Sequence, residues 1–335
     1  MTAADRPLRV LVTDTIMARF EAELTAEGDG ATEWIVAPAL GDDELVALMP
    51  TVDVLVCSSM SRAMALAAHR LRLVHVTGAG FDKIPVDDLP PGVAVANTFH
   101  HAVPIAEHVV MTTLMLLRRV LPVDREMRAG TWRTVGNDDT VPFHPVLRDR
   151  TIGLIGFGGI AQEVARLAGA LGMRVCAVRS NPGAPIPDDL VVDWMGATDQ
   201  LGTLLETSDV VVVTVPLSDS TRGLIDAAAF ARMRPGAILV NVARGPIVDE
   251  QALVDALGDG TLGGAAIDVW WDAPGADATA PAAVARFAGL DTVVLTPHHS
   301  GHARTTFEQR AADIAANVSR LAAGHPLENV VRAAR

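Results

Sequence analysis

A glycine-rich turn between an apolar run and a helical pattern constrains the fold of this chain most. The run Ile152–Ile155 has the length and the β-branched content of a buried parallel strand. The turn Gly156–Ala161 reads Gly-Phe-Gly-Gly-Ile-Ala and fits the pattern Gly-x-Gly-x-x-Gly/Ala. Apolar residues at helical spacing follow it, and Val175–Val178 is a second apolar run. This order predicts a dinucleotide-binding βαβ unit, with an empty structural βαβ unit as the alternative.

The residues of this turn suit the binding of a pyrophosphate. Gly156 allows a tight turn, Gly158 lets the backbone approach the phosphates, and Ala161 keeps the helix close to the sheet. The N-terminus of the helix supplies free N–H groups and the positive end of a dipole. We therefore predict cofactor contacts at the first five positions of the turn, which are Gly156, Phe157, Gly158, Gly159 and Ile160.

Length and charge limit the class of protein. With 335 residues the chain is long enough for roughly two domains. Its formal net charge of −13 argues against a general nucleic-acid-binding surface. No apolar run approaches the roughly 18 residues of a membrane span, and the beginning MTAADRPLRV lacks the hydrophobic region of a signal peptide. We therefore expect a cytoplasmic protein with no nucleic-acid or membrane partner.

Two sets of apolar runs alternate with helical segments and predict an α/β fold with two parallel sheets. The first set is Leu8–Thr13, Val52–Cys57, Leu71–Thr77 and Val93–Asn97, and the second continues from the βαβ unit through Val210–Val215, Ala237–Val242, Ala265–Val269 and Thr292–Thr296. Pro104–Arg128 is predicted to be one long helix bent near Pro122, and Arg304–Leu321 an amphipathic helix that returns to the first sheet. We expect a discontinuous substrate domain of residues 1–102 and 300–335 and a dinucleotide-binding domain of residues 103–299.

A second glycine-rich segment ends a strand of the first set. Thr77 is followed by Gly78, Ala79 and Gly80, and open α/β sheets bind ligands at the carboxyl ends of their strands. Backbone N–H groups in such turns suit a carboxylate. We predict that these three residues contact an anionic substrate, with an ordinary strand-to-helix turn as the alternative.

Several ordered motifs resemble those of the D-isomer-specific 2-hydroxyacid dehydrogenase family, whose members include phosphoglycerate, phosphite and formate dehydrogenases and glyoxylate/hydroxypyruvate reductases. Besides the glycine turn they are Gly78-Ala79-Gly80, Ile105-Ala106-Glu107-His108, Val215-Pro216-Leu217, Asn241-Val242-Ala243-Arg244-Gly245, Ile267-Asp268-Val269 and Thr296-Pro297-His298. The resemblance extends over nearly the whole chain. It implies two Rossmann-like, doubly wound parallel-sheet domains, an active site in the cleft between them, and a homodimer.

The resemblance assigns the catalytic roles to an arginine and a histidine. Arg244 matches the residue that binds the substrate carboxylate and polarises its carbonyl, which suits a guanidinium because it pairs with carboxylates bidentately and stays charged. His298 matches the general acid/base, since an imidazole exchanges protons near neutral pH. His299 and His302 lie close enough in sequence to suggest a metal site, but the resemblance implies no metal.

Other matches concern the cofactor. Asp268 matches the residue near the nicotinamide carboxamide, with a cap or strand-end turn as the alternative, and Pro216 is assigned to the cofactor through its motif. For Asn241, a functional role and a purely structural hydrogen bond both stay open.

Two positions depart from the family pattern. The family usually has a glutamate, hydrogen-bonded to the catalytic histidine, five positions after Asp268, and this chain has Ala273 there with Asp272 one position away. The substrate-binding asparagine of formate dehydrogenases, six positions before Glu107, is His101 here, which predicts against formate oxidation. We predict a substrate contact for His101, with a solvent-facing or packing role as the alternative.

The end of the second strand of the βαβ unit predicts the choice of cofactor. NAD-preferring enzymes hold the ribose 2′-hydroxyl with an acidic residue at this place. This chain has Arg179 and Ser180 there, which would pair with a 2′-phosphate. We predict NADPH as the preferred cofactor, with NAD as the alternative.

Together these observations predict an NAD(P)-dependent oxidoreductase that reduces a small 2-keto acid to a 2-hydroxy acid. Two alternatives stay open at this point. One is the oxidation or reduction of another small anion, such as a phosphonate. The other is a non-catalytic protein that senses the cofactor, since the family also includes transcriptional corepressors.

Overall fold

The structure is a computed structural model that describes residues 6–26, 31–274 and 279–334. Its strands are β1 (Leu8–Val12), β2 (Thr32–Val36), β3 (Val54–Cys57), β4 (Leu73–Val76), β5 (Ala94–Ala96), β6 (Thr151–Ile155), β7 (Arg174–Val178), β8 (Trp194–Gly196), β9 (Val210–Val213), β10 (Ala237–Asn241), β11 (Leu262–Ile267), β12 (Val293–Leu295) and β13 (Val330–Arg332). Its α-helices are α1 (Glu21–Thr25), α2 (Asp42–Leu48), α3 (Arg62–Ala67), α4 (Ala102–Leu117), α5 (Val120–Arg128), α6 (Gly159–Ala170), α7 (Leu201–Thr207), α8 (Ala227–Arg232), α9 (Glu250–Gly258), α10 (Val284–Phe287) and α11 (Arg304–Ala323). Short 3₁₀ turns span Met17–Phe20, Met49–Thr51, Val86–Asp88, Thr198–Gln200 and Gly245–Ile247.

The chain divides into two compact units. The first comprises residues 1–100 and 302–335, and the second comprises residues 101–301. The assignment of residues 103–299 to cofactor binding, and of residues 1–102 and 300–335 to the substrate, stays a prediction of the sequence. Among the described helices, none combines the length and the apolar character needed to cross a membrane.

The first unit is built on a six-stranded sheet in the order β13-β5-β4-β3-β1-β2. Its strands are parallel except β13, which pairs antiparallel with β5. Side chains alternate along β1, so that Val10 and Val12 belong to one buried cluster and Leu11 to the cluster on the opposite face. Helix α11 covers the Val10 face with apolar residues spaced three or four apart, which are Phe307, Ala311, Ile314 and Val318.

The second unit is built on a seven-stranded sheet in the order β12-β11-β10-β9-β6-β7-β8. All of its neighbouring strands run parallel, and buried clusters cover both faces. The two sheets confirm the predicted α/β class with two doubly wound parallel-sheet domains.

Two details of the secondary structure differ from the prediction. The segment predicted as one helix bent near Pro122 is two helices, which are separated at Arg118 and Arg119, and Arg119 has a left-handed φ of 51°. Pro122 is accommodated in the first turn of α5, where its missing N–H would have no partner within the helix. Strand β11 begins at Leu262 rather than Ala265, because glycines allow close backbone contact: a Cβ on Gly263 would lie 2.3 Å from the carbonyl oxygen of Gly236.

A buried histidine connects the first sheet to the C-terminal segment. His75 on β4 is fully buried, and its Nε2 accepts a hydrogen bond from the side-chain amide of Asn317 at 3.0 Å. Asn317 also exchanges hydrogen bonds with the backbone of Glu328, at 3.0 and 2.9 Å. Burial disfavours the charged ring and lowers the pKa of His75 to about 4.

We expect the free energy of unfolding to decrease as the pH falls from about 6.5 to about 4. In this range the unfolded chain takes up a proton that the folded His75 does not, which costs on the order of 3 kcal/mol at pH 4. Urea unfolding at a series of pH values measures the slope. His75→Gln cannot titrate there and should show a shallower slope, and equal slopes in the two proteins would contradict this account.

Candidate active site

One edge of the second sheet collects most of the predicted site residues. Strands β12, β11, β10, β9, β6 and β7 are parallel neighbours in that order, so their carboxyl ends share this edge. The predicted site residues that follow them are, in the same order, His298, Asp268, Arg244, Pro216, Gly156 and Arg179. The order of strands reverses between β6 and β9, which is the topological switch point where open α/β sheets bind ligands.

The first glycine of the turn after β6 is required by its conformation and its surroundings. Gly156 has a φ of 93°, and a Cβ there would lie 2.9 Å from Cγ1 of Val215 and 3.1 Å from Oγ1 of Thr214. Pro216 follows these two residues, is exposed, and accepts a hydrogen bond on its carbonyl from the Thr221 hydroxyl at 2.7 Å. The end of β9 therefore packs directly against the glycine turn.

The second glycine of the turn faces open space. A Cβ on Gly158 would meet no atom within 4 Å, so a ligand can approach the backbone there. Helix α6 begins at Gly159. The N–H groups of Gly159 and Ile160 lie in its first turn, where backbone N–H groups have no acceptor within the helix. Ala161 is fully buried, which keeps α6 close to the sheet. These features fit the pyrophosphate of a dinucleotide.

The side chain of Arg179 lies beside the glycine turn. Its guanidinium carbon is 5.6 Å from the centre of the Phe157 ring, a cation–π contact. Its terminal nitrogens donate to the carbonyls of Pro182 and Pro185 at 3.4 Å, and to that of Ala184. Ser180, the next residue, is exposed. The guanidinium thus holds the loop after β7 next to Phe157.

Arg244 is held by the turn that follows β10. The guanidinium Nη1 of the half-buried Arg244 donates to the carbonyl of Ala243 at 2.8 Å. Asn241 donates from its amide to the Arg244 carbonyl at 3.0 Å and accepts from the Ala243 N–H at 3.1 Å. The Asn241 side chain therefore has a structural role that fixes this turn.

Gly245 brings the Arg244 turn against the end of β11. A Cβ on Gly245 would lie 2.3 Å from the carbonyl carbon of Trp270 and 2.7 Å from the nitrogen of Trp271. Only glycine therefore permits this approach without displacing one of the two backbones. Both indoles pack beside the buried cluster on this side of the sheet, and the Trp271 ring stacks on Phe287.

His298 has an unusual backbone conformation. Its φ is 57°, in the left-handed region that residues other than glycine rarely adopt, and its side chain is exposed. It lies between Thr296 and Ser300, which both bond to the buried Asp268. Such strained positions persist where the surrounding structure enforces them, and they occur often at functional sites.

Asp268 is 1% exposed, and its carboxylate bonds only to the segment around His298 among the described residues. Oδ1 accepts from the Thr296 hydroxyl at 2.7 Å and from the His299 N–H at 2.9 Å. Oδ2 accepts from the N–H of Ser300 at 3.1 Å and from its hydroxyl. Burial tends to raise the pKa of the carboxyl, but the bonds from Ser300, Thr296 and His299 outweigh burial and leave the pKa below its ordinary value. The side chain is therefore a carboxylate at neutral pH.

His108 is a residue of this region to which the motif gave no role. It is 5% exposed on α4, its ring meets that of His299 edge-on with centres 5.7 Å apart, and its Nε2 has no hydrogen-bond partner among the described residues. Burial lowers the pKa of His108, an effect that Asp268 opposes and His299 reinforces. The sequence contained His108 within a family motif but offered no sign of its contact with His299.

His101 lies close to the segment that carries His298. It precedes α4 and is half-buried, and a Cβ on Gly301 would lie 3.2 Å from the Cβ of His101. Gly301 therefore allows His101 to pack against this segment. Within the second unit, the structure therefore brings His101, a predicted substrate contact, close to the segment of His298, the predicted acid.

The Gly78–Gly80 turn belongs to the first unit, at the carboxyl end of β4. The Thr77 hydroxyl before it donates to Oδ2 of the buried Asp14 at 2.9 Å. The side-chain amide of Asn97 donates to the carbonyl of Ala79 at 2.7 Å. A Cβ on Gly78 would meet no atom within 4 Å. The turn is therefore fixed by the bonds of Thr77 and Asn97 and has open space at Gly78.

Asp272, the carboxylate nearest in sequence to the missing family glutamate, has another partner. Its Oδ2 accepts a hydrogen bond from the N–H of Ala282 at 2.6 Å, and both Asp272 and Ala273 are exposed. Over the described ranges, no three His, Cys, Asp or Glu side chains are grouped so as to hold a metal ion.

Comparison with known proteins identifies this arrangement. Residues 110–300 match a family model described as D-isomer specific 2-hydroxyacid dehydrogenase, NAD binding domain. A hydroxypyruvate reductase of Thermotoga maritima is 33% identical over 297 residues, which cover 87% of this chain and 88% of the relative. This chain belongs to the D-isomer-specific 2-hydroxyacid dehydrogenase family.

Two further relatives of this dehydrogenase cover most of its length. An (S)-sulfolactate dehydrogenase of Chromohalobacter salexigens is 38% identical over 235 residues, covering 69% of this chain and 71% of the relative. The crystal structure of a 2-hydroxyacid dehydrogenase from Ketogulonicigenium vulgare superposes with a TM-score of 0.79 at 25% identity, over 98% of this chain and 99% of that one.

Family membership makes this chain an NAD(P)-dependent enzyme that acts on small 2-hydroxy or 2-keto acids. The non-catalytic alternative is therefore set aside. The residues present fit a nicotinamide dinucleotide, because Gly156 allows the tight turn after β6 and Gly158 leaves open backbone at the start of α6.

We expect Ala273→Glu to move the basic limb of the kcat/KM profile for reduction to higher pH by about one unit. The family resemblance implies that a glutamate at this position bonds to the catalytic histidine, and such a carboxylate favours the protonated imidazole that reduction consumes. Asp272→Asn is the control and should leave the limb in place, because its carboxylate bonds to Ala282. A downward shift in Asp272→Asn would show instead that Asp272 already serves His298.

Proposed function

We propose that this dehydrogenase reduces a small 2-keto acid to the corresponding 2-hydroxy acid with NADPH, with Arg244 and His298 as its catalytic residues. The observation that carries the proposal is the order of residues along the second sheet: an imidazole, a guanidinium and a glycine turn follow three strands that end at one edge. The relatives named hydroxypyruvate reductase and (S)-sulfolactate dehydrogenase support substrates of this class.

Arg244 binds the carboxylate of the substrate and polarises its carbonyl. A guanidinium offers planar, permanently charged donors that match a carboxylate. Its attraction for the carbonyl oxygen grows as negative charge develops there, so the interaction is stronger in the transition state than in the ground state. The bonds from Asn241 to the same turn fix the backbone from which the side chain extends.

His298 donates a proton to the oxygen of the former carbonyl. Bound cofactor supplies the hydride that reaches C2 of the substrate. The imidazolium neutralises the alkoxide that forms, and in the reverse direction the neutral ring takes the hydroxyl proton back. The exposed position of His298 allows its ring to exchange protons with solvent between turnovers.

Further contacts follow from the resemblance. Gly78, Ala79 and Gly80 are proposed to bind the substrate through backbone N–H groups, and the open space at Gly78 supports this. His101 is proposed as a substrate contact because it packs against Gly301, three residues after His298. Gly156, Phe157, Gly158, Gly159 and Ile160 are proposed to bind the cofactor phosphates, and Pro216 to lie beside the cofactor.

The preference for NADPH is proposed from Arg179 and Ser180. The loop after β7 has no carboxylate directly at the strand end to receive a ribose 2′-hydroxyl. The Arg179 guanidinium lies over the ring of Phe157, which belongs to the glycine turn that the dinucleotide would approach. A 2′-phosphate there would gain a charge-assisted hydrogen bond.

The homodimer stays a prediction of the family resemblance. Exposed apolar side chains are frequent between Val120 and Val146, where Trp132 is 71% and Phe143 88% exposed, and such patches are typical of protein interfaces. Light scattering of the purified protein measures its mass, and a monomer at micromolar concentration would contradict the dimer.

The catalytic assignment is tested with Arg244 variants and a panel of glyoxylate, hydroxypyruvate and sulfopyruvate with NADPH. We expect Arg244→Ala to cost about 3–5 kcal/mol in kcat/KM, because the developing oxyanion loses its main partner. Arg244→Lys keeps the charge without the bidentate geometry, so its kcat/KM should lie between those of the parent and Arg244→Ala. Turnover of Arg244→Ala within tenfold of the parent would overturn the assignment.

The cofactor assignment is tested by comparing NADPH with NADH. We expect kcat/KM to favour NADPH by about tenfold to a hundredfold, since charge-assisted pairing contributes roughly 1.5–3 kcal/mol. Arg179→Asp should reverse the preference by repelling the 2′-phosphate, while Arg174→Asp, at the exposed start of β7, is the charge-matched control. Equal or better efficiency with NADH in the parent would contradict the proposal.

A further inference from the structure

The backbone of His298 needs an external constraint to keep its conformation. A residue with a Cβ is strained at a φ of 57°, and Pro297 before it does not hydrogen-bond through its nitrogen. Bonds that fix the residues on either side of His298 contribute to this constraint.

A single buried carboxylate supplies contacts on both sides of His298. Asp268 accepts from the Thr296 hydroxyl, two residues before it, at 2.7 Å. It accepts from the N–H groups of His299 and Ser300, directly after it, at 2.9 and 3.1 Å, and from the Ser300 hydroxyl. The four donors surround the strained residue, and none of them belongs to His298 itself.

Other contacts reinforce the same segment. The Trp270 indole N–H donates to the Thr296 carbonyl at 3.0 Å, and the Thr296 N–H donates to the Ile267 carbonyl at 3.0 Å. These bonds hold the segment before His298 to the end of β11. After His298, the Asp268 bonds to His299 and Ser300 and the edge-on contact of His299 with His108 hold the segment.

The acceptor capacity of Asp268 is used within the chain. An ionised carboxylate offers about four lone-pair sites, and four donors of the chain approach this one, which is 1% exposed. These contacts give Asp268 a role in holding the turn, besides the contact with the nicotinamide carboxamide that the resemblance implies.

We propose that Asp268 is a positioning residue that holds the Thr296–Ser300 turn so that His298 keeps the left-handed backbone conformation from which it acts as acid and base. The proposal rests on the proposed function of His298. An amide cannot replace the carboxylate, because its NH₂ group would face the N–H or hydroxyl donors of His299 and Ser300. Loss of the constraint lets His298 relax and displaces its imidazole from the substrate.

The test compares Asp268→Asn with Asp53→Asn. Asp53 is also 1% exposed and bonds to Arg6, Arg70 and the Arg9 N–H in the first unit, so its replacement controls for the loss of a buried carboxylate. We expect Asp268→Asn to lower kcat about a hundredfold, because small displacements of a catalytic group have effects of this size. The Kd for NADPH, from the fluorescence of the bound nicotinamide, should change much less than kcat does. Asp53→Asn should keep its kcat.

A double-mutant cycle with His298→Ala decides whether Asp268 acts through His298. The substitution Asp268→Asn should lower the residual rate of His298→Ala by less than threefold, because the group it positions is absent. An undiminished hundredfold effect in that background, or a weakened NADPH Kd with kcat preserved, would overturn the proposal and leave Asp268 with a cofactor contact alone. Full activity of His298→Ala would instead overturn the proposed function.

Ser300→Ala provides a second variant in case Asp268→Asn fails to fold. It removes one hydroxyl bond and keeps the carboxylate and both backbone bonds. We expect kcat to fall about tenfold with an unchanged NADPH Kd, and an unchanged kcat in this variant would count against the proposal.

Discussion

The candidate site depends on the parallel alignment of six neighbouring strands in the second sheet. Because β12, β11, β10, β9, β6 and β7 run in one direction, the residues that leave them emerge along one edge. An imidazole, a carboxylate, a guanidinium and a glycine turn therefore occur in a fixed order across the sheet, although they lie far apart in sequence. A parallel sheet buried on both faces thus supplies a rigid base on which loops position reactive groups.

Close backbone contact is the second requirement of this arrangement. Gly156 lets the end of β9 approach the turn after β6, and Gly245 lets the Arg244 turn lie against Trp270. In both places a methyl group would come within 3 Å of neighbouring atoms. The glycines thus set the distances between adjacent loops, whereas the polar side chains of Asn241 and Asp268 fix the conformation within each loop.

The sequence predicted the architecture because apolar runs and turn motifs are local signals. The glycine turn, most strands and the family were identified from patterns within short windows. The edge strand β2 was missed because its residues are only partly buried, and the break at Arg119 was missed because no glycine or proline marks it. The bonds of Asp268 could not be predicted, since their donors lie about 30 residues away and depend on how two strand ends meet.

In the proposed reaction, hydride from a nicotinamide cofactor reaches C2 of a 2-keto acid, and His298 is the proton donor. The most direct measurement uses NADPH deuterated on the transferred position of C4, with hydroxypyruvate as substrate and mass spectrometry of the product. The account predicts one deuterium on C2 of the 2-hydroxy acid, formed rapidly by the parent and much more slowly by His298→Ala. A product without deuterium on C2, or equal rates for the two proteins, would contradict it.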